Sequence, residues 1–329
     1  MNNRRKIIVA LAAGALTIPL ASFAQQPAKV YRIGFLSLAS AASAQSISRA
    51  AAVRVGLRDF GYVEGKNLIM EFRWAEGHDD RLAQLADELV RLKADVIVAQ
   101  GTQGTLAAKR ATTTIPIVMG NAANAVDAGL VASLSRPGGN VTGSTSFGTE
   151  LSAKRFEMLK ETVPRITRVA VLKNSHNPSQ ELDVKAVEIA ARSLKAEVEV
   201  FGVREPDDFD SAFTAMAKRR INAILVLQDG LLTSNSKKIA ELAAKQRLPL
   251  IGVEELAEAG GLIGYGPNVP AMYRRAGYFV DKILKGANPG EIPVERATKF
   301  DLVVNMKTAK ALGIKIPNSI LVRTDKVIE

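Results

Sequence analysis

The chain contains no cysteine, and among its 329 residues it has only two histidines and one tryptophan. Without cysteine it can form no disulfide and no thiolate metal site, so its own core must hold it together. No thiol is available to carry a lipid after an export signal is cleaved. Its basic residues are not clustered with aromatic ones, so we expect no nucleic-acid partner.

Familiar catalytic motifs are also missing. The sequence has no G-x-S-x-G, no H-E-x-x-H and no Walker A motif. Two histidines leave few candidates for a nucleophile and its base. We therefore expect no cofactor, no metal ion and no enzymatic activity, while an enzyme that uses carboxylates stays open as an alternative.

One long apolar run is present, at the amino terminus. Arg4, Arg5 and Lys6 precede the run 7–20, and small residues follow as far as Ala24. This order is typical of a secretory signal peptide, residues 1–24, that is cleaved near Ala24. The run is shorter than the about 20 residues that a membrane-spanning helix requires. We therefore expect a secreted protein located in the periplasm.

Beyond the signal, short apolar runs alternate with amphipathic segments, which is typical of βαβ units. The first set of predicted strands is 31–37, 67–74, 95–100, 116–121 and 140–147. The second set is 168–174, 197–203, 223–229, 249–253 and 261–265, and a last strand is predicted at 300–305. The segments between them carry apolar residues at helical spacing. The pattern predicts an α/β protein with two doubly wound, Rossmann-like lobes.

The two lobes are predicted to exchange segments of chain. Residues 28–147 plus 269–297 form the expected amino-terminal lobe, and residues 148–268 plus 298–329 form the expected carboxy-terminal lobe. The chain then passes between the lobes more than once. Several crossings of this kind would make a hinge.

Polar side chains lie where the predicted strands end. In open α/β sheets a ligand binds beyond the carboxyl ends of the strands. Two lobes that face each other would enclose one small polar molecule, with helix N-termini offering N–H groups to an acid. Polar turn residues end the strands of any α/β protein, and that interpretation stays open for each position. The candidate ligand-binding residues are Ser37, Thr102, Asn121, Ser144, Thr145, Lys173, Asn174, Asp229, Glu254 and Tyr265.

Asp79 and Asp80 precede the helical stripe that begins at Leu82. They are interpreted as a helix cap and a first-turn acid. His78 lies beside them, but neighbouring side chains in a cap rarely converge on one ion. A capping role is therefore favoured over a metal site.

Three strings resemble a known family. They are RPGGNVTG at 136–143, GGLIGYGPN at 260–268 and KFDLVVNMKTAKALGIKIP at 299–317. They resemble the substrate-binding proteins of ABC transporters, in the group that includes receptors of the tryptophan type. The resemblance implies a type I periplasmic binding fold, a Venus-flytrap whose lobes close over a small-molecule ligand. It also implies delivery of that ligand to an ABC permease in the inner membrane, and we expect a monomer.

The chain departs from the family pattern at several strand ends. Asn124 stands where relatives usually carry aspartate, and Lys173 stands where an aromatic residue is frequent. Gly264 replaces a common serine, and Gly230 replaces a usual proline. Loss of a carboxylate and gain of an ammonium group favour an anionic ligand, such as an amino acid-like or aromatic carboxylate. Lys173 could equally point to solvent.

Roles follow for the candidate residues. Thr102, Asn121 and Thr145 would donate hydrogen bonds to a carboxylate from the amino-terminal lobe. Asn174, Asp229 and Tyr265 would contact the ligand from the other lobe. Asp229 would accept from an ammonium or hydroxyl group, and Tyr265 would either stack on a ring or pack at the hinge.

Three other functions fit parts of the sequence. A transcriptional regulator of the same fold would need a helix-turn-helix where this chain has an export signal. A periplasmic enzyme that depends on carboxylates would change its ligand, whereas a receptor returns it unaltered. A sensor would hand the ligand-bound shape to a membrane kinase in place of a permease, and the residues do not separate that role from transport.

Overall fold

The computed structural model describes residues 29–329, so the predicted signal peptide and its cleavage point near Ala24 lie outside the described residues. Tyr31–Glu329 form one compact unit. No helix in this part of the chain is both long enough and apolar enough to cross a bilayer.

Strands and helices alternate along this unit. The strands are β1 Tyr31–Ser37, β2 Leu68–Trp74, β3 Val96–Gln100, β4 Ile117–Ala123, β5 Val141–Ser146, β6 Arg168–Asn174, β7 Glu197–Val203, β8 Ala223–Val226, β9 Leu250–Gly252, β10 Ile263–Pro267, β11 Glu295–Arg296, β12 Phe300–Asn305 and β13 Lys326–Ile328. The α-helices are α1 Ala44–Arg58, α2 Arg81–Arg91, α3 Gly101–Ala111, α4 Gly148–Thr162, α5 Gln180–Ser193, α6 Asp208–Lys218, α7 Gly230–Ser234, α8 Ser236–Lys245, α9 Glu254–Glu258, α10 Val269–Leu284, α11 Met306–Leu312 and α12 Asn318–Leu321. A short 3₁₀ helix spans Pro289–Glu291.

The first sheet has six parallel strands in the order β11-β5-β4-β3-β1-β2. Every residue of β3 is buried. A parallel strand that is covered on both faces must be apolar along its whole length, which is why Val96, Ile97 and Val98 follow one another. The sheet, together with α1, α2, α3 and α10, is called the first lobe here.

The second sheet has seven strands in the order β13-β12-β10-β9-β8-β6-β7. All neighbours are parallel except β10 and β12, which run antiparallel. With the remaining helices it forms the second lobe. Two sheets of this kind confirm the predicted fold class, while the residue boundaries of the two lobes stay a prediction.

Helix α10 leads the chain back from the second sheet to the first. It packs along α1 and over β4. The two helices approach closely because both carry glycine at the crossing: a Cβ atom on Gly277 would overlap the backbone of Gly56, and one on Gly56 would overlap the carbonyl of Arg274. This packing attaches α10 to the first lobe.

Aromatic side chains gather where the chain passes between the sheets. The ring of Phe300 lies 6.2 Å from that of Phe147 and 6.3 Å from that of Tyr265, measured between centroids. The guanidinium carbon of Arg296 lies 4.8 Å from the centroid of the Phe147 ring. These contacts involve three separate crossings, so they pack the connections against one another.

Candidate ligand-binding site

A cavity of about 40 Å³ lies between the carboxyl ends of the two sheets. The first lobe lines it with Arg49, Gln100, Gly101, Thr102, Gln103, Asn121, Ala123, Val269 and Tyr273. The second lobe lines it with Asn177, Gln228, Asp229, Gly230, Thr233, Val253 and Glu255. Polar residues from both lobes therefore surround one small space.

The amino terminus of α3 forms one wall of this cavity. Gly101 begins the helix with a φ of +67°, a left-handed conformation that glycine adopts without strain. No side chain of the described residues caps the helix, since the side chain of Gln100 instead accepts a hydrogen bond from the Ser37 hydroxyl. The first N–H groups of a helix have no partner within it. They give this wall a partial positive charge that suits an anion.

Arg49 adds a full positive charge to the cavity. It lies on α1, and its Nη2 atom is 3.0 Å from the Glu255 carboxylate of the opposite lobe. Both side chains are largely buried, with 8% and 15% of their surface exposed. A guanidinium carries five N–H donors, so this ion pair leaves others for a ligand.

Three buried polar atoms at the cavity have no hydrogen-bond partner among the described residues. They belong to Asn121 (Oδ1), Gln228 (Oε1) and Tyr273 (the hydroxyl oxygen). Burial raises the pKa of Tyr273 to about 12, so its hydroxyl stays protonated at neutral pH. Leaving such a group unsatisfied costs about 1–3 kcal/mol, so a bound molecule that supplied partners would recover this free energy.

Asp229 is already saturated with hydrogen bonds. Its oxygens accept five, from the side chains of Gln103, Asn174 and Asn177 and from the backbone N–H groups of Leu231 and Leu232. The last two bonds cap α7. A ligand ammonium could reach this carboxylate only by displacing one of these donors.

Polar contacts join the two lobes around the cavity. The Gln103 amide donates to Asp229 over 2.6 Å, and Arg49 pairs with Glu255. Outside the cavity, Asn174 donates to Asp79 over 3.1 Å, and Asn124 donates to Asp183 over 2.9 Å. These contacts exist only while the strand ends of the two sheets are close together.

The structure brings three of the predicted site residues into the cavity, namely Thr102, Asn121 and Asp229. Two more stand directly behind its lining: Ser37 donates to Gln100, and Asn174 donates to Asp229. The roles assigned to these residues stay predictions.

The other five predicted residues lie away from the cavity lining. Thr145 donates to the backbone of Ala122, Lys173 pairs with Glu181, and Glu254 pairs with Lys326. Ser144 lines a separate surface depression, and Tyr265 packs on Phe300. Lys173 and Asn124 both contact carboxylates outside the cavity, so neither the gained ammonium group nor the lost carboxylate changes the charge of the cavity lining.

Sequence reasoning missed Arg49 and Tyr273 because both lie in the middle of helices. Arg49 did leave a signal. It occupies a buried position of α1 in step with Ala50, Val53 and Leu57, and a charged residue within an apolar stripe is unusual. Tyr273 left none, since an aromatic residue on a buried helix face is ordinary.

The predicted cap of α2 is wrong. Asp80 already has helical backbone angles and, within the described residues, makes no side-chain capping bond. Asp79 instead accepts a hydrogen bond from Asn174 and lies 3.5 Å from the His176 ring, and burial raises the pKa of its carboxyl. Among residues 29–329 no group of three or more His, Asp or Glu side chains could hold a metal ion.

Two α/β sheets whose strand ends face each other across a polar cavity define a bilobal binding protein of the type I periplasmic fold. The family model for ABC transporter substrate binding proteins matches residues 42–328. The chain belongs to that family, which confirms the resemblance seen in its sequence.

Similar proteins of known structure or function support this family assignment. A tyrosine-binding protein of Clostridioides difficile (strain R20291) is 29% identical over 261 residues, which are 79% of this chain and 74% of that protein. A domain from Streptococcus pneumonia in complex with L-Trp is 26% identical, with a TM-score of 0.82 over 90% of this chain and 100% of that one. A ligand-free, open substrate-binding protein from Clostridium difficile is 25% identical, with a TM-score of 0.63 over 91% and 99%.

The last two structures differ in how well they match, although identity and coverage are nearly equal. The present chain superposes better on the complex with L-Trp than on the ligand-free, open protein. The hydrogen bonds between the lobes also indicate that the strand ends of the two sheets are close together. The structure therefore describes a closed arrangement of the two sheets.

Proposed function

We propose that this protein is the periplasmic receptor of an ABC importer. It captures a small molecule that bears a carboxylate, an amino acid or an aromatic acid, between its two lobes. It then delivers that molecule to a permease in the inner membrane. The observation that carries the proposal is the cavity itself, which is lined by Arg49, by the amino terminus of α3 and by buried polar atoms that have no hydrogen-bond partner within residues 29–329.

A carboxylate fits the positive side of this cavity. Arg49 and the first residues of α3, Gly101, Thr102 and Gln103, all line the cavity. Tyr273 lines the same space; it is wholly buried, and its hydroxyl has no hydrogen-bond partner in the described part of the chain. Hydrogen bonds between charged groups contribute about 1.5–3 kcal/mol each, enough for useful affinity from few contacts. Relatives named for tyrosine and L-Trp support an amino acid.

Ligand capture works through a shift in population. A molecule that touches both lobes stabilises the closed form by the contacts that the open form lacks. The cavity has room for only a few water molecules in the closed arrangement, so the lobes must separate before a larger ligand enters. The permease would then recognise the closed form.

The carboxylates in the cavity are already held by hydrogen bonds or an ion pair, which favours binding without catalysis. Asp229 is held by five donors, and Glu255 is paired with Arg49. Neither is free to act as a general base on a ligand. This argument favours a receptor over the carboxylate-dependent enzyme.

The test is a thermal-shift and calorimetric panel on the mature protein, residues 25–329. We expect amino acids or aromatic acids to raise the melting temperature, and sugars and simple amines to leave it unchanged. Arg49→Met should weaken binding of the best carboxylate at least about tenfold, because a charge-assisted hydrogen bond is lost. Arg58→Met, an exposed change on the same helix, is the control.

Two results would count against this function. One is stabilisation by sugars or amines with no response to any carboxylate. The other is unchanged affinity in Arg49→Met while its unfolding curve without ligand shows an intact fold. Uptake of the bound compound should also disappear from cells that lack the gene and return with the wild-type gene.

A further inference from the structure

One arginine of the second lobe is wholly buried and does not line the cavity. Arg155 lies on α4, and none of its surface is exposed. Its Nε atom donates a hydrogen bond to the carbonyl of Tyr265 on β10 over 2.6 Å. Neither Nη1 nor Nη2 has a hydrogen-bond partner among the described residues. A buried guanidinium with unused donors is costly, so any acceptor that came within reach would stabilise the protein.

Two carboxylates act on the charge of Arg155. Burial lowers the pKa of Arg155 to about 10, and the negative charges of Asp183 and Glu255 oppose that decrease. Glu255 lies on α9, which packs on β10, the strand to which Arg155 donates. Gly266 of β10 leaves room for the guanidinium, since a Cβ atom there would lie only 3.1 Å from Nη2. The arginine and both carboxylates therefore share one region of the second lobe.

Both carboxylates accept from the first lobe in the closed arrangement. Glu255 pairs with Arg49 over 3.0 Å, and no other residue in the described part of the chain donates to its carboxylate. Asp183 accepts from Asn124 but also from Thr149 of its own lobe. When the lobes separate, Asp183 therefore keeps a donor, whereas Glu255 loses the one it has. Its carboxylate is then free to turn towards another cation.

We propose that Arg155 replaces Arg49 as the partner of Glu255 when the lobes open. The exchange keeps the carboxylate paired and gives an acceptor to a guanidinium that lacks one in the closed form. It therefore stabilises the open form, and a ligand must outweigh it to close the lobes. Arg155 is a positioning residue, since it acts on the ligand only through this equilibrium. The inference rests on the proposed function, because it requires lobes that open and close.

The first experiment measures the distance between the lobes without any ligand. The chain contains no cysteine, so Gln84→Cys on α2 and Ser211→Cys on α6 place one spin label on each lobe, at exposed positions. Pulsed electron paramagnetic resonance should show mostly a long, open distance in otherwise wild-type protein. Arg155→Met should increase the fraction with the short distance of the closed form. Lys154→Met, an exposed change on the same helix, should leave the distribution unchanged.

Affinity should change in the same direction. L-Tyrosine and L-tryptophan are the probes, and isothermal titration of the mature protein measures the binding of each. Arg155→Met should bind the better probe about tenfold more tightly than wild type, because a charge-assisted pair no longer opposes closure. Arg155→Lys keeps the charge and should bind like wild type. A role in folding alone would give the opposite result, with weaker binding and a lower melting temperature in Arg155→Met.

A double-mutant cycle identifies the partner of Arg155. In a Glu255→Gln background there is no carboxylate for the arginine to take over. Arg155→Met should then tighten binding by less than about threefold. The same gain in both backgrounds would overturn Glu255 as the partner.

The outcomes separate this inference from the proposed function. A closed distance in ligand-free wild type would overturn the exchange, and so would equal distance distributions in wild type and Arg155→Met. These measurements use no ligand, so they decide the role of Arg155 whatever the cavity binds. A wild type that is open without ligand and does not close with any amino acid or aromatic acid would contradict the proposed function and would not affect the exchange.

Discussion

Asp183 lies in the interface between the two lobes, and its side chain is wholly buried. Its Oδ1 atom accepts hydrogen bonds from Asn124 of the first lobe and from Thr149, and its Oδ2 atom has no partner in the described chain. Burial raises the pKa of Asp183 to about 6, against the opposing effects of the Asn124 bond and the charge of Arg155. Ionisation of this aspartate at neutral pH therefore lowers the stability of the folded protein.

The first prediction concerns pH. The folded protein holds a proton on Asp183 up to about pH 6, whereas an unfolded chain releases it near pH 3.9. The contribution of this group to the free energy of unfolding therefore rises as the pH falls from 7 to 4. The gain is about 3 kcal/mol at most. Urea unfolding of wild type and of Asp183→Asn over this pH range measures the gain as the difference between their free energies of unfolding.

Asp87→Asn removes an exposed aspartate in the same way and is the control. It shows what the substitution of aspartate by asparagine does away from the buried site. A constant difference for Asp183→Asn would contradict the raised pKa.

At the scale of single elements, α10 comes late in the chain but packs against the first lobe. Gly56 and Gly277 allow α1 and α10 to approach until backbone meets backbone. Neither glycine has a positive φ, so close packing and not backbone conformation requires them. This contact positions Tyr273 of α10 and Arg49 of α1 at the same cavity.

A second prediction follows for this crossing. Gly277→Ala should lower the free energy of unfolding by about 1–3 kcal/mol, because the new methyl group forces the helices apart. Alanine is the better helix former, so any loss reports the clash. Lys282→Ala on the exposed side of α10 should change stability by less than about 0.5 kcal/mol. Chemical denaturation compares the two, and equal stabilities would refute close packing as the role of Gly277.

Periodicity predicted most elements well for a physical reason. The predicted bounds of β1, β6, β7 and β12 match the structure. β1 and β6 have buried apolar centres, as strands covered on both faces must have, whereas β7 lies at the sheet edge and alternates glutamate with valine. β11 and β13 were missed because neither lies within an apolar run of strand length, unlike the equally short β9. β8 ends sooner than predicted, since the chain leaves the sheet so that Asp229 can cap α7.

At the scale of the whole molecule, closure depends on contacts that lie outside the cavity as well as within it. Asn124 has a φ of +49° and reaches across from the first lobe to Asp183. A ligand shifts the population toward the closed form only by its differential contacts, and bonds between the lobes add to that balance. Asn124 should therefore affect affinity without touching the ligand.

The third prediction tests this balance. Asn124→Gly keeps a backbone that tolerates a positive φ and removes the bond to Asp183. We expect affinity for the best ligand to fall about tenfold, as one charge-assisted hydrogen bond is lost on closing. Small-angle scattering should show a larger radius of gyration without ligand. Lys195→Gly, at an exposed position with a φ of +55°, controls for the backbone effect.

Unchanged affinity and unchanged scattering in Asn124→Gly would mean that the contact does not contribute to closure. A fall in affinity for Lys195→Gly of the same size would point to a general loss of stability.

The candidate site could be read from the sequence only where it follows from the chain's local order. Thr102, Asn121 and Asp229 end strands of parallel sheets, and strand ends meet at one edge, so their place in the cavity was predictable. Ser144 and Thr145 also end a strand, yet other elements cover them. Which strand ends face the opposite lobe depends on strand order and lobe orientation, and neither is a local property.

Apolar periodicity and its interruptions were enough to predict the α/β class and the two sets of strands, and three short sequence strings were enough to show the resemblance to the family. Those properties depend on neighbours within a few residues. Tertiary structure alone decided that Arg49 pairs with Glu255 and that Asp229 accepts hydrogen bonds from five donors. It also decided that the side-chain oxygens of Asn121 and Gln228 have no hydrogen-bond partner within the described residues. These facts concern groups far apart in the chain, brought together only when two sheets close on each other.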